Sequence, residues 1–192
     1  MDITGSKFRY GDTDYCLSLI GEHQIYNAMT AIEVMNVLKQ KGFSISDESI
    51  KRGLVETKFP ARFEILKNTP LTVLDGAHNP DGTKMLKKAL VDTKCKNIIA
   101  IVAMMEDKHY SDALGEVLPL CDTVIAVKAS NPRSLSAEEL AQTAKQYCED
   151  VLVADDLNFA VQKGRELVAE DGMLLIFGSL YLAGDIREIA SK

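Results

Sequence analysis

The sequence predicts an α/β fold built on a mainly parallel sheet of about six strands with flanking helices. From Arg62 onward, short apolar runs alternate with segments that have the apolar periodicity of helices. The central runs carry almost no polar residue, which is typical of strands covered by helices on both faces of a parallel sheet. The alternation therefore indicates a Rossmann-like arrangement.

The elements of this sheet are predicted from the apolar runs and from residues that start helices. Strands are expected at residues 63–66, 71–74, 98–103, 123–127, 151–153 and 174–177. Helices are expected at residues 80–91, 110–118, 137–148, 157–169 and 181–190. Ser136 is the expected N-cap of the third of these helices, and Asp155 or Asp156 caps the fourth.

Residues 1–58 have a different pattern and are predicted to be the incomplete tail of a larger domain. A hairpin is expected from residues 7–10 and 15–19, then a helix that residues 21–24 lead into and that runs through Lys39, and a shorter helix from its N-cap Ser46 toward Val55. The longer helix has a broad apolar face, made of Ile25, Met29, Ile32, Val34, Met35 and Leu38. One hairpin with two helices is a poor independent domain. Residues 59–192, with their alternating strands and helices, are expected to form a complete domain.

Composition excludes several classes of protein. The chain has 192 residues, a formal net charge of -6, 46% hydrophobic and 26% charged residues, which is ordinary for a soluble domain. The acidic excess argues against a nucleic-acid partner, although it leaves room for a nucleotide. The longest apolar runs are too short to cross a membrane, and no signal peptide is recognisable. We expect a cytoplasmic monomer without a membrane partner.

The cysteines and histidines show no metal-ligand or disulfide pattern. Four cysteines are widely spaced and lack a C-x-x-C pair, so reduced thiols are expected: Cys16, Cys95, Cys121 and Cys148. The histidines are His23, His78 and His109, and their spacing predicts no metal site.

The most informative segment is Leu-Thr-Val-Leu-Asp-Gly-Ala-His-Asn-Pro-Asp-Gly at residues 71–82. Its apolar run predicts a strand that ends at Asp75, after which Gly76 allows a sharp turn. Asn79 is the expected N-cap of the next helix and Pro80 its first residue. Asp75 and His78 should therefore be displayed at the carboxyl end of a strand, where open α/β sheets bind ligands.

Each candidate residue has an ordinary interpretation beside a functional one. Asp75 could cap nearby amides, or it could bind ribose hydroxyls or orient a cation. His78 could be a solvated loop residue, or a donor or proton acceptor near neutral pH. Arg62 could be a surface charge or a phosphate ligand, and Asn27 polar helix surface or an adenine contact.

Three motifs together resemble one family. Residues 71–82 are preceded by Pro-Ala-Arg-Phe-Glu-Ile-Leu at 60–66, and His-Gln-Ile-Tyr-Asn-Ala lies at 23–28. The combination resembles the C-terminal portion of folylpolyglutamate synthase/dihydrofolate synthase, a branch of the Mur ligase family of ATP-dependent amide-forming enzymes. The resemblance extends from His23 to about Arg187. Residues 105–109 resemble a further loop of the family in which His109 replaces an acid.

The resemblance implies roles for individual residues. Asp75 and His78 would belong to the active site, with Asp75 also contacting the nucleotide, and Arg62 and Asn27 would contact ATP. Residues 131–135 and 178–181 are either plain strand-to-helix turns or sources of substrate contacts, which would come from Arg133, Ser134 and Ser179. Residues 1–58 would be the tail of the family's central ATPase domain, and residues 59–192 the Mur ligase C-terminal domain.

The resemblance also implies a reaction. ATP, with Mg2+, would phosphorylate a carboxylate of folate or dihydropteroate, and the amine of L-glutamate would attack the acyl phosphate. The chain contains no G-x-x-x-x-G-K-[ST] phosphate loop, and the family's Mg2+ ligands would lie upstream of residue 1. We therefore expect a C-terminal fragment that is inactive alone. Two alternatives are another Mur-family amino-acid ligase and a stand-alone Rossmann-like nucleotide-binding module.

Overall fold

The chain divides after Pro60 into two units, Met1–Pro60 and Ala61–Lys192. The structure is a computed structural model that describes residues 5–106 and 109–192. Two residues of the expected loop at 105–109, Asp107 and Lys108, lie outside the described residues.

The first unit contains a hairpin and two helices, as the sequence predicts. Strands β1 (Ser6–Tyr10) and β2 (Thr13–Leu17) are antiparallel, and Gly11 adopts φ 57° in the turn between them. Helices α1 (Glu22–Gln40) and α2 (Asp47–Glu56) follow. The hydroxyl of Ser46 accepts the Ser49 N–H at 3.1 Å, which confirms Ser46 as the N-cap of α2.

The apolar face of α1 is narrower than the sequence predicts. Its buried residues are Gln24, Ala28 and Ile32, which recur every four residues along one side of the helix. Val34 of the predicted apolar face is 50% exposed, so this face is not buried across its whole width. The core of the first unit consists of Leu17, Ala28, Ile32 and Leu54, with partly buried apolar neighbours.

The second unit is built on a six-stranded sheet, which confirms the predicted fold class. Its strands are β3 (Glu64–Asn68), β4 (Leu71–Leu74), β5 (Ile98–Val102), β6 (Thr123–Ala126), β7 (Asp150–Val153) and β8 (Met173–Phe177). The spatial order is β3-β4-β8-β5-β6-β7. All neighbouring pairs are parallel except β3 and β4. Every residue of β5 and β8 is buried, as expected for the centre of a covered sheet.

The helices of the second unit lie close to their predicted positions. They are α3 (Pro80–Thr93), α4 (Tyr110–Val117), α5 (Ala137–Ala144), α6 (Leu157–Leu167) and α7 (Leu180–Ser191). The predicted helix at 137–148 ends early, because Gln146 and Tyr147 bond to carbonyls three residues back and close turns instead of extending α5. Ser136 caps α5 and Asp156 caps α6, both as predicted.

The carboxyl ends of the parallel strands place several loops along one edge of the sheet. These loops follow β4, β5, β6 and β8, and they contain most residues that the sequence singles out in this unit. Within the described parts of the chain, no helix is long and apolar enough to span a membrane.

Candidate functional site

The Asp75 carboxylate is held by two backbone amides at the end of β4. The Phe63 N–H donates to Oδ2 at 2.8 Å, and the Ala77 N–H donates to Oδ1 at 2.8 Å. Asp75 lies at the carboxyl end of β4 as predicted, but it is only 9% exposed, so its side chain is buried there and not displayed to solvent. Burial raises the pKa of Asp75, against the lowering effect of the two N–H donors and of the Arg62 charge. The carboxylate joins the loop after β4 to the turn before β3.

That turn carries Arg62 between two residues with unusual backbone conformation. Ala61 has φ 55° and Phe63 has φ 45°, in the left-handed region that residues with a Cβ rarely occupy. The Ala61 carbonyl accepts the Gly76 N–H at 2.8 Å and the Arg62 Nη1–H at 3.0 Å. The guanidinium of Arg62 is thereby drawn back toward the loop that follows β4.

Gly76 is required for this close approach. A Cβ atom at residue 76 would lie 2.9 Å from Nη1 of Arg62 and 2.4 Å from a methyl carbon of Leu180. The same Cβ would lie 3.3 Å from the Ala61 carbonyl oxygen. A side chain at this position would displace the guanidinium or the start of α7, so the glycine permits the contact between the two loops.

His78 follows in the same loop with its imidazole in one defined tautomer. Nδ1 lies 2.8 Å from the Gly76 carbonyl oxygen. Because a carbonyl can only accept, Nδ1 carries the hydrogen, and Nε2 of the neutral ring has a lone pair. His78 is exposed. The geometry leaves the imidazole able to accept a hydrogen bond or a proton through Nε2.

The start of α3 is built as predicted. The side chain of Asn79 accepts the Gly82 N–H at 2.8 Å, and Pro80 is the first helical residue. The segment is therefore a strand, a loop and a capped helix, in which Gly76 permits the close approach of Arg62 and Asn79 fixes where α3 begins.

Ser134 and Ser179 already bond to the backbone. Ser134 is 6% exposed, and its Oγ accepts the Ala129 N–H at 3.0 Å. Ser179 is 2% exposed and caps α7 by accepting the Tyr181 N–H at 3.0 Å. Both hydroxyls shape loops at the sheet edge, while Arg133 is exposed.

The loops after β5 and β6 are joined to each other. Met105 and Ser134 form an isolated antiparallel bridge. The Glu106 N–H donates to the Arg133 carbonyl at 2.7 Å, and the Leu135 N–H donates to the Met104 carbonyl at 3.0 Å. These hydrogen bonds hold the backbone of Arg133 and Leu135 against the loop after β5, so the main-chain position of Arg133 is defined.

Asn27 lies in the first unit, on α1. Its side chain donates to Oε1 of Gln24 at 3.1 Å, and the residue is exposed. Nε2 of Gln24 in turn lies 3.0 Å from Nε2 of His23. The predicted adenine contact would use the part of the Asn27 amide that remains exposed.

Two residues of the second unit were missed by the sequence reasoning. Glu64 accepts the Ala61 N–H and pairs with Arg187. Asp185 accepts the N–H of Ser130 at 2.8 Å and its hydroxyl at 2.9 Å. The only local sequence signal for Glu64 is its place as an acidic residue directly after the turn formed by residues 61–63, which we call the Arg62 turn. Asp185 has no local sequence signal, because its partner Ser130 is 55 residues away.

No group of three or more His, Cys, Asp or Glu side chains that could hold a metal ion occurs in residues 5–106 and 109–192. Both oxygens of Asp75, the carboxylate nearest Arg62 in the loop after β4, are bonded to amides. The described residues therefore provide no cluster of ligands for a divalent cation.

Comparisons with known proteins give consistent matches. Residues 61–180 match the family model for the Mur ligase, glutamate ligase domain. The folylpolyglutamate synthase of Lacticaseibacillus casei is 31% identical over 191 residues, which cover 96% of this chain and 43% of that protein. The dihydrofolate synthase/folylpolyglutamate synthase of Bacillus subtilis is 28% identical and covers 96% of this chain and 44% of its own.

Solved structures give the same result. The Mycobacterium tuberculosis folylpolyglutamate synthase complexed with ADP superposes with a TM-score of 0.85 at 26% identity, over 94% of this chain and 42% of that one. The chain thus spans less than half the length of each of these three proteins.

Proposed function

The chain belongs to the Mur ligase family through its glutamate ligase domain, and we propose that it is the C-terminal part of an ATP-dependent ligase that adds L-glutamate to folate or to dihydropteroate. The observation that carries the proposal is the approach of the Arg62 guanidinium to Gly76, in the loop that also presents His78. A phosphate-binding cation and a proton acceptor therefore adjoin one sheet edge. The names of the relatives support the choice of substrates.

Arg62 acts on phosphate charge in this proposal. ATP transfers its terminal phosphoryl group to the substrate carboxylate, which yields ADP and an acyl phosphate. The forked guanidinium offers several N–H donors, and the strained turn fixes where they lie. A donor that is already in place stabilises the charge that develops during transfer without reorganisation.

His78 acts on the amine of L-glutamate. The amine attacks the acyl carbon, the C–N bond forms, and inorganic phosphate leaves with the electrons of the C–O bond. The attacking nitrogen must lose a proton, and Nε2 of His78 is the ring atom with a lone pair when Nδ1–H is bonded to Gly76. His78 is therefore the proposed proton acceptor.

Asp75 serves by holding the backbone next to Arg62 and by placing a negative charge near the guanidinium. Of the two functional roles expected for it, orientation of the cation is supported by the contacts of its carboxylate with the amides of Phe63 and Ala77. A ribose contact would use the remaining lone pairs of the same oxygens and stays a prediction. The adenine contact of Asn27 and the substrate contacts of Arg133, Ser134 and Ser179 also stay predictions.

Several further parts of the proposal concern the longer protein. The 192 residues contain no phosphate loop, so we propose that the chain alone does not catalyse. Mg2+ is expected to accompany ATP, and the proposal assigns it to no residue described here. A monomeric state and a cytoplasmic location are also proposed.

A titration with ATP, followed by two-dimensional 1H–15N NMR, tests the phosphate contact in this chain. We expect weak binding that shifts the amides of Gly76 and His78, whereas adenosine should leave them in place. Arg62→Ala should abolish the response to ATP. Arg52→Ala is the matched control, because Arg52 is exposed on α2. An unchanged ATP response in Arg62→Ala would show that this residue does not bind phosphate.

Steady-state kinetics of the longer protein test the reaction. Arg62→Ala should lower kcat and kcat/KM together, by roughly 10²–10³-fold, as removal of one preorganised donor does. Comparison of L-glutamate with other amino acids as acceptors decides between a folate ligase and another Mur-family ligase. A near-normal kcat in Arg62→Ala would refute the assigned role.

A further inference from the structure

The backbone around Arg62 is strained and must be held by its surroundings. Ala61 and Phe63 both adopt positive φ, which is costly for residues with a Cβ and persists only where neighbouring contacts impose it. Phe63 is held by Asp75 through its N–H. The Ala61 N–H is held by a second acceptor.

Glu64 holds it. Oε2 of Glu64 accepts the Ala61 N–H at 3.0 Å, across the three-residue turn that carries Arg62. The N–H groups of both strained residues therefore donate to carboxylates, one from β3 and one from the end of β4. Removal of either acceptor would free the turn to relax into an ordinary conformation.

Arg187 of α7 fixes the Glu64 carboxylate. Its Nη2 lies 2.6 Å and its Nε lies 3.0 Å from Oε1 of Glu64, and Nε lies 3.3 Å from Oε2. The Glu64 side chain is only 18% exposed. The guanidinium occupies mainly Oε1, which leaves Oε2 directed at Ala61. The C-terminal helix thus reaches the Arg62 turn through a single carboxylate.

We propose that Glu64 is a positioning residue for Arg62, and that Arg187 orients Glu64 for this task. The relevance to catalysis rests on the proposed phosphate contact of Arg62. The positioning itself is a property of the free protein. An ordinary ion pair would need only opposite charges at 64 and 187, whereas positioning needs an acceptor oxygen at residue 64.

This difference defines the experiment on the 192-residue chain. Amide hydrogen exchange at Ala61 and the thermal unfolding midpoint are measured for the wild type, Glu64→Gln, Glu64→Ala and the double variant Glu64→Arg/Arg187→Glu. Glu166→Gln removes a partner from the exposed Lys163–Glu166 pair of the same unit and serves as the control. The shift of the Gly76 amide on addition of ATP is recorded for each.

We expect Ala61 to exchange at least tenfold faster in Glu64→Ala, as loss of one hydrogen bond to a charged acceptor implies. Glu64→Gln keeps one acceptor oxygen for two donors, the Ala61 N–H and the Arg187 guanidinium, so it should retain only part of the protection. The double variant restores opposite charges and should recover only part of the unfolding midpoint, because the hydrogen bond to the Ala61 N–H stays lost. It should not recover Ala61 protection or the ATP response, because an arginine at 64 has no acceptor. The control should match the wild type.

Recovery of Ala61 protection in the double variant would overturn the proposal, since the pair would then act only as an ion pair. Unchanged Ala61 protection in Glu64→Ala would overturn it as well. A wild-type chain whose Gly76 amide ignores ATP would count against the phosphate role of Arg62 in this chain. The exchange data would still decide whether Glu64 positions the turn, so the two failures are distinguishable.

Discussion

The two units of the chain differ in how completely they bury their apolar surface. In the second unit, all residues of β5 and β8 are buried, and helices complete a large core. In residues 5–60, the described part of the first unit, the core cluster is small and consists of Leu17, Ala28, Ile32 and Leu54. Large apolar side chains there are about half exposed or more: Tyr26, Val34, Val37, Phe43, Val55 and Phe59. A hairpin with two helices is too small to cover its own apolar groups. The difference supports our proposal that the first unit is part of a larger domain.

Separation of the units is the strongest test of this comparison. Residues 61–192 alone should keep the helical far-UV signal and unfold cooperatively, because the sheet and its helices are complete within them. Residues 1–60 alone should be largely unfolded. Circular dichroism and NMR dispersion measure both. A folded, cooperatively melting 1–60 peptide would show that its small core suffices and that the proposed larger domain is unnecessary.

The same deletion in each core should have unequal effects. Ile101→Ala in β5 removes a side chain that is 0% exposed within the central sheet, and it should cost about 2–5 kcal/mol of unfolding free energy. Ile32→Ala in α1, at 2% exposure, should cost less because the small core around it can collapse. Denaturant unfolding of the whole chain measures both, with Val37→Ala as an exposed control. Equal losses would mean that the two cores are equally rigid.

Removal of a carboxylate should also have unequal effects on stability in the two units. Asp75→Asn places an amide N–H₂ against one of two backbone donors in a buried site, which should cost about 1–3 kcal/mol. Asp14→Asn in the hairpin removes an exposed pair with Arg9 and should leave the unfolding midpoint unchanged. An Asp75→Asn protein as stable as the wild type would show that the carboxylate does not hold the loop.

The smallest expected effect is a pH dependence from Glu64. Burial opposes its ionisation, but the hydrogen bond and charge of Arg187 and the Ala61 N–H keep the pKa of Glu64 below its usual 4.5. A lowered pKa in the folded state stabilises above pH 4.5, and this contribution is lost as the pH falls through the folded pKa.

The difference in unfolding free energy between the wild type and Glu64→Gln should therefore shrink as the pH is lowered from about 7 to about 3. Asp47 also has a lowered pKa, through its hydrogen bond to Lys39, but its side chain is 80% exposed. Asp47→Asn should show little such trend. A pH-independent difference for Glu64→Gln would mean that the ion pair does not contribute to stability.

The sequence by itself determined the elements and their starting points. The caps Ser46, Asn79, Ser136 and Asp156 are where the sequence predicts or allows them, and the strands lie within a few residues of their predicted bounds. These signals are local, since a cap bonds to amides two or three residues away and an apolar run reports burial directly. The motif around Asp75 and His78 likewise predicted the strand, the turn and the helix.

Only the tertiary structure decided the order of the strands, the burial of Asp75 and the role of Glu64. Glu64 and Arg187 are 123 residues apart, and no local pattern pairs them. Asp75 points inward because two amides, one from Phe63 twelve residues earlier, satisfy its charge. The positive φ of Ala61 and Phe63 is imposed by these same contacts. Such features arise from long-range packing, which a sequence pattern does not encode position by position.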